Sequence, residues 1–171
     1  EYFGTEKHHI WDLKKCPVPI KLVRIKTNFK HTGFVDVDAV SAIQDYLDIR
    51  EKKTGKLMQE GQALFLNIFQ KPITENWVHR GFFDLTKRSG VQKEIKLKNS
   101  IKYEKDSHEL RDLLKSTLLV CNTRYDVADH VIGHKPKDSY EKQSSLYSDN
   151  LRNEYSKASK KINMFSNMSV Y

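Results

Sequence analysis

Two residues three positions apart, His108 and Arg111, form the first pattern in this sequence that could carry chemistry. In a helix, side chains at positions i and i+3 project from the same face. A guanidinium can donate two parallel hydrogen bonds to a phosphate, and a neighbouring imidazole can donate a third. The pair therefore predicts a phosphate-binding site. As isolated residues, the two would more often be a surface or packing histidine and an ordinary salt-bridge partner.

A second histidine and several tyrosines follow this pair. His134 comes directly after Gly133, a residue type that commonly ends a helix, and a loop there could bring His134 to the same phosphate. Tyr140 and Tyr147 come next, and a phenol oxygen could attack the phosphorus in line with the leaving oxygen. Because a phenol is protonated at neutral pH, this attack needs a base, and cations must stabilise the developing charge.

Taken together, the segments HELR and IGH and a downstream tyrosine resemble the H-x-x-R, G-H and Tyr motifs of the tyrosine recombinase family, in order and nearly in spacing. The resemblance covers most of the chain. It implies a DNA integrase in which His108, Arg111 and His134 hold the phosphate, with His108 or His134 assisting proton transfer. The tyrosine would form a covalent 3′-phosphotyrosyl link, and the freed 5′-hydroxyl would attack the partner strand.

The same resemblance implies an α+β fold: a mainly helical catalytic domain with a small antiparallel sheet. The family carries a catalytic lysine on a β-hairpin upstream of the H-x-x-R motif, and residues 22–37 resemble that hairpin. The match implies that Lys26 protonates the leaving 5′ oxygen, with Lys30 as second choice. It also implies no metal or other cofactor. The partners would be double-stranded DNA and further copies of the chain, assembled as a tetramer on two DNA sites.

The first departure from the family pattern concerns an arginine. The family's first catalytic arginine precedes the lysine hairpin, but no arginine precedes Arg24, which lies in a predicted strand. The sequence also begins with neither an initiator methionine nor a signal peptide. We therefore expect residues 1–171 to be a single catalytic domain cut from a longer chain, with that arginine upstream and the active site incomplete.

The second departure concerns the nucleophile. At the family's usual interval after His134 the residue is Gln143, whereas Tyr140 and Tyr147 lie on either side of it. We predict Tyr140, because Pro136 restricts the turn after His134 and the DSY segment resembles that of archaeal-type integrases. Tyr147 stays open as the rival nucleophile.

Two other functions stay open as well. One is a DNA-binding module derived from an integrase that no longer cuts DNA. The other is a metal-independent phosphodiesterase that uses His108 and His134 as acid and base. A zinc site is a weaker alternative, because Gly133 interrupts the helical spacing between His130 and His134.

The charge and the cysteine content of the sequence both agree with a DNA-binding protein inside the cell. The sequence holds 30 Lys and Arg against 22 Asp and Glu, a formal net charge of +8, and such an excess favours a polyanionic partner. Its two cysteines, Cys16 and Cys121, offer neither a disulfide framework nor a zinc quartet, so we expect a cytoplasmic protein. The family resemblance implies an archaeal, bacterial or viral context. No apolar run reaches the length of a membrane span.

Hydrophobic periodicity and turn residues predict the elements that would position these side chains. Residues 17–37 predict two strands around a polar turn at 27–33. Residues 63–69 predict a short buried strand or extended segment, residues 52–61 predict a charged loop, and residues 93–105 predict a loop or edge segment. Helices are predicted to begin at Asp38, Thr74, Ser107, Thr123 and Leu151, with Trp77, Tyr155 and Ala158 in the core.

Overall fold

A computed structural model describes residues 12–59, 61–98, 100–135 and 148–168. Its elements, in chain order, are a short 3-10 helix (Leu13–Lys15), β1 (Val18–Arg24), β2 (Phe29–Val35), α1 (Val37–Thr54), α2 (Glu75–Arg88), β3 (Glu94–Leu97), β4 (Ser100–Tyr103), α3 (His108–Val120), α4 (Tyr125–Val131), α5 (Ser148–Ile162) and α6 (Met164–Met168). The fold mixes helices with antiparallel strands, which confirms the predicted α+β class. None of the described helices is both long and apolar enough to cross a membrane.

The strands β1 and β2 form an antiparallel hairpin whose register runs from Val18 opposite Val35 to Arg24 opposite Phe29. The turn is short: Asn28 adopts a left-handed conformation (φ 47°), and the amide of Thr27 donates to the Arg24 carbonyl at 3.1 Å. The two predicted strands are confirmed. The predicted turn at 27–33 is wrong, because Phe29–Gly33 forms the first five residues of β2. Pairing with β1 overrides the turn-forming tendency of these polar residues.

The chain divides into two compact units, Glu1–Leu57 with Leu114–Tyr171, and Met58–Leu113. In the first unit, the β1–β2 hairpin and α1 accompany the last part of α3 and the helices α4, α5 and α6. The second unit holds α2, the β3–β4 hairpin and the beginning of α3.

The core of the first unit lies among α3, α4 and α5. It consists of buried apolar side chains that recur at helical spacing, namely Leu118, Val127, Ala128, Val131, Leu151, Tyr155 and Ala158. Phe34 of β2 stacks on the Tyr155 ring with 4.8 Å between ring centroids, so the hairpin packs on the same core. The predicted inward positions of Tyr155 and Ala158 are confirmed.

We expect Leu118→Ala to lower the free energy of unfolding by about 2–5 kcal/mol, because it removes fully buried methyl groups and leaves a cavity. Leu118 has no exposed surface, whereas Leu113 on the same helix is 62% exposed. Urea denaturation followed by circular dichroism measures the change, and Leu113→Ala is the matched control. An equal loss in both variants would show that α3 does not pack as described.

Helix α1 begins two residues earlier than predicted, because its capping residue is Asp36 and not Asp38. The Asp36 carboxylate accepts from the amide of Val37 at 2.9 Å. The Asp38 carboxylate instead accepts from the amides of Phe165 and Ser166, in the first turn of α6. Asp38 thus caps a helix remote in sequence, which local sequence patterns do not predict.

Helix α2 of the second unit has no buried residue. It begins after Thr74, as predicted, and Trp77 on it is 51% exposed. The prediction of Trp77 as a core residue is wrong, because no side chain of this helix is covered well enough to form a core. Residues 63–69, predicted as a strand or extended segment, take part in one isolated bridge, between Leu66 and Pro72. The β3–β4 hairpin lies within residues 93–105, where a loop or edge segment was predicted.

Candidate functional site

The loop that carries His134 is fixed to the last turn of α4. Gly133 ends this helix in a left-handed conformation (φ 75°), and its amide donates to the His130 carbonyl at 2.9 Å. The amide of His134 donates to the carbonyl of Asp129 at 2.8 Å. The imidazole is partly exposed, and its Nδ1 lies 3.1 Å from Oδ1 of the Asp129 carboxylate. Backbone and side chain of His134 are therefore both held by α4.

A lysine on α3 completes this arrangement. The Lys115 ammonium lies 2.6 Å from the same Oδ1 atom of Asp129 and donates to the Tyr125 hydroxyl at 3.1 Å. The hydrogen bond to the carboxylate raises the pKa of Lys115, so this side chain stays charged across the physiological pH range. Lys115, Asp129 and His134 form a continuous polar chain, called the α3–α4 relay below.

The β1–β2 hairpin meets the same loop through Arg24. Its guanidinium Nη1 donates to the Gly133 carbonyl at 3.2 Å, directly before His134 in the chain. Lys26 lies in the hairpin turn two residues after Arg24, and Lys30 lies in β2; both side chains are exposed. The structure therefore joins the lysine-bearing hairpin and the His134 loop within the first unit.

Two further histidines pack where the hairpin meets α4. His130 is buried, and its Nε2 accepts from the Thr32 amide of β2 at 3.1 Å. Its ring lies edge-on to those of Phe29 and His31, with centroids 5.9 and 6.5 Å away. His130 thus ties α4 to β2 with a neutral imidazole, and its Nε2 is already engaged. Among the described residues, no group of three side chains could hold a metal ion.

We expect the stability of the first unit to fall as the pH drops below about 6.5, the pKa of an unfolded histidine. Burial, followed by the neighbouring His31, lowers the pKa of His130, so the unfolded chain binds protons first. The stability that neutral His130 contributes is present above that pH and is lost as the pH falls towards the folded pKa. Urea midpoints at pH 7 and 5 measure this. His130→Gln, which can still accept from Thr32, should show a smaller fall, and an equal fall would contradict the assignment.

His108 and Arg111 belong to the second unit, at the start of α3. The helix begins directly after Ser107, as predicted, and the carboxylate of Asp106 accepts from the amide of its first residue, His108, at 2.7 Å. Ser107 Oγ lies 3.3 Å from Nδ1 of His79. Within the described part of the chain, the side chains of His108 and Arg111 have no ion-pair partner, so the pair could take an anion on one helix face.

The tyrosines divide into two groups. Tyr140 and Tyr147, the predicted nucleophile and its rival, lie outside the described residues. Tyr155 lies in the core, where burial, followed by the negative charge of Asp36, raises the pKa of its phenol. A buried phenol that resists ionisation suits packing and not nucleophilic attack, in agreement with its predicted core position.

Sequence reasoning missed three residues of this site: Arg24, Lys115 and Asp129. Arg24 was noted only as an arginine in a predicted strand. Asp129 lies five positions before His134, a spacing that a helix followed by a glycine stop can close, but no motif marks it. Lys115 reaches Asp129 only because α3 packs against α4.

Comparison with protein-family models, curated proteins and solved structures finds no match for this chain.

Proposed function

We propose that this chain is the catalytic domain of a tyrosine recombinase, which cuts and rejoins double-stranded DNA through a covalent 3′-phosphotyrosyl intermediate. In this proposal His108, Arg111 and His134 hold the scissile phosphate and Lys26 protonates the leaving 5′ oxygen. Tyr140 is the proposed nucleophile and Tyr147 its rival. The active enzyme would assemble as a tetramer on two DNA sites.

One observation carries this proposal: the hydrogen bond from Arg24 to the Gly133 carbonyl. The hairpin and the His134 loop are about a hundred residues apart in the chain, yet this bond ties the end of β1 to the residue before His134. A general acid and a phosphate ligand must meet at one phosphorus atom. The two motifs that supply them in the proposed mechanism therefore lie on segments that contact one another.

The orientation of His134 gives a second line of support. Because an ionised carboxylate only accepts hydrogen bonds, Nδ1 of His134 must donate to Asp129. The other nitrogen, Nε2, can then accept a proton when the ring is neutral or donate to a phosphate oxygen when the ring is charged. A histidine held by a carboxylate in this way is a common arrangement for general base catalysis.

The proposed chemistry also fits the charge of the molecule. The pentacovalent transition state places extra negative charge on the phosphate oxygens, and the Arg111 guanidinium and the histidines can donate hydrogen bonds to them. The net charge of +8 would draw the remaining DNA phosphates to the surface. Duplex DNA affinity should therefore fall with salt, with a log–log slope of about −0.9 per phosphate contact.

A covalent trapping experiment tests the proposal without knowledge of the target site. The chain is incubated with a pool of nicked duplexes of randomised sequence, and adducts that survive detergent are recovered and sequenced. We expect protein-linked DNA with a defined consensus around the nick, formed slowly, because no arginine of residues 1–171 matches the first catalytic arginine of the family. Salt-dependent binding without an adduct would identify a DNA-binding module. Cut DNA without an adduct would identify a phosphodiesterase that uses His108 and His134.

A further inference from the structure

We infer that Asp129 and Lys115 are positioning residues that hold His134 with its neutral imidazole protonated at Nδ1. His134 then presents an unprotonated Nε2 and is the residue that accepts the proton of the attacking tyrosine. This second statement rests on the proposed function and decides between His108 and His134 as the proton acceptor. The first statement concerns the ring alone and holds for any substrate.

The argument begins with the geometry of Asp129. Its Oδ1 atom lies 3.1 Å from Nδ1 of His134 and 2.6 Å from the Lys115 ammonium. An ionised carboxylate can only accept hydrogen bonds, and Asp129 accepts one from the Lys115 ammonium. In a neutral imidazole one nitrogen carries the proton and the other accepts, so a proton on Nδ1 leaves Nε2 as the acceptor.

Lys115 keeps the carboxylate in place. An exposed carboxylate would rotate among several orientations, but the Asp129 side chain is 24% exposed and that of Lys115 only 20%. Lys115 is itself held by the Tyr125 hydroxyl and lies over the Tyr125 ring, 4.4 Å from its centroid. The α3–α4 relay therefore runs from Lys115, which is held at Tyr125, to a partly exposed end at His134, whose side chain is 44% exposed.

Among the described residues, no carboxylate contacts the ring of His108 as Asp129 contacts the ring of His134. Within the part of the chain that the structure describes, the polar partner of His108 is Asp106, which accepts from its backbone amide and not from the ring. No described residue of the second unit therefore selects which ring nitrogen of His108 carries the proton. A proton acceptor works best when its free nitrogen is already defined, and His134 meets this condition.

The competing explanation is that Lys115 and Asp129 form an ion pair that only holds α3 and α4 together. The tautomer of the His134 ring distinguishes this explanation from a positioning role. Nitrogen-15 NMR of histidine-labelled protein, at a pH where imidazoles are neutral, distinguishes the two tautomers. The signal of His134 among the seven histidines is assigned by its loss in His134→Gln. We expect the Nδ1–H tautomer in the unaltered chain. The Nε2–H tautomer, which free histidine prefers in water, would overturn the inference.

Four variants sharpen this test. Asp129→Ala should shift His134 to the Nε2–H tautomer, whereas Asp129→Asn should keep Nδ1–H, because the amide oxygen can still accept. Lys115→Met should give a mixture of both tautomers. Lys157→Met removes another lysine ion pair of the first unit, with Glu154 at 2.6 Å, and should leave the His134 signal unchanged. Retention of a pure Nδ1–H signal in Asp129→Ala would contradict the positioning role.

The rate of adduct formation then tests whether His134 accepts the proton of the attacking tyrosine. Asp129→Ala should slow it by on the order of tenfold to a hundredfold, the usual effect of losing a group that orients a functional histidine. Asp129→Asn should stay within a few-fold of the unaltered chain. If no form of the chain makes an adduct while the tautomers behave as expected, the recombinase proposal fails and the positioning role stands. If Asp129→Ala cleaves at the full rate, the assignment of His134 as proton acceptor fails.

Discussion

We expect Tyr140→Phe to abolish the covalent DNA adduct completely, while duplex DNA binding is unchanged. The substitution removes only the phenol oxygen, which is the atom that would bond to phosphorus. Such an oxygen must approach the phosphorus within about 3–3.5 Å, in line with the leaving oxygen. The His134 loop is fixed to α4 by two backbone hydrogen bonds, so a tyrosine six residues further along has a short path back to it.

Tyr147→Phe is the matched control and should keep both the adduct and the binding. Peptide mass spectrometry of the trapped complex gives an independent measurement, because it identifies the modified residue directly. An adduct on Tyr147, or an adduct that survives in Tyr140→Phe, would move the nucleophile to Tyr147. The recombinase proposal itself would survive that result.

Arg111→Ala should slow adduct formation by about a hundredfold to a thousandfold, equivalent to roughly 3–4 kcal/mol of transition-state stabilisation. The guanidinium would hold two phosphate oxygens at once, and this contact strengthens as charge develops on them. Arg111→Lys keeps the charge but cannot form the bidentate hydrogen bonds, so most of the loss in the rate of adduct formation should persist. Single-turnover rates on a recovered nicked duplex measure both effects.

Duplex affinity should change little in Arg111→Ala, because many other basic residues share the contacts to the DNA backbone. Arg80→Ala, an exposed arginine of α2 in the same unit, is the control and should leave the cleavage rate unchanged. A similar rate loss in both variants would indicate a general effect of charge on DNA binding and not a phosphate site at Arg111.

The sequence predicted those parts of the fold that local patterns determine. The α5 helix was predicted because apolar residues recur along it at helical spacing, and Tyr155 and Ala158 lie in the core as expected. Other features depend on contacts remote in the chain. Residues that favour a turn lie in strand β2, because this strand pairs with β1. Asp38 caps α6 and not α1. Local propensity cannot anticipate either outcome.

The same division applies to the site. Gly133 and His134 were predicted to end a helix and begin a loop, because a glycine stop is visible in one sequence. The partners of His134 were not predicted, because Lys115 and Asp129 lie on different helices and meet only after α3 and α4 have packed. A family resemblance names the residues that touch the substrate, whereas the residues that orient them depend on the packing of each particular chain.

The conformation of Gly133 restricts which sequences could replace this one. Its φ of 75° disfavours every residue with a side chain, and a β-carbon at this position would lie 2.9 Å from Cε1 of the His31 ring. Gly81 in α2 has neither restriction, since a β-carbon there would meet open space. In a library of all single substitutions, position 133 should therefore be among the least tolerant and position 81 should accept alanine freely. A side chain at position 133 would therefore need both a smaller residue at position 31 and a backbone conformation other than the one that Gly133 adopts.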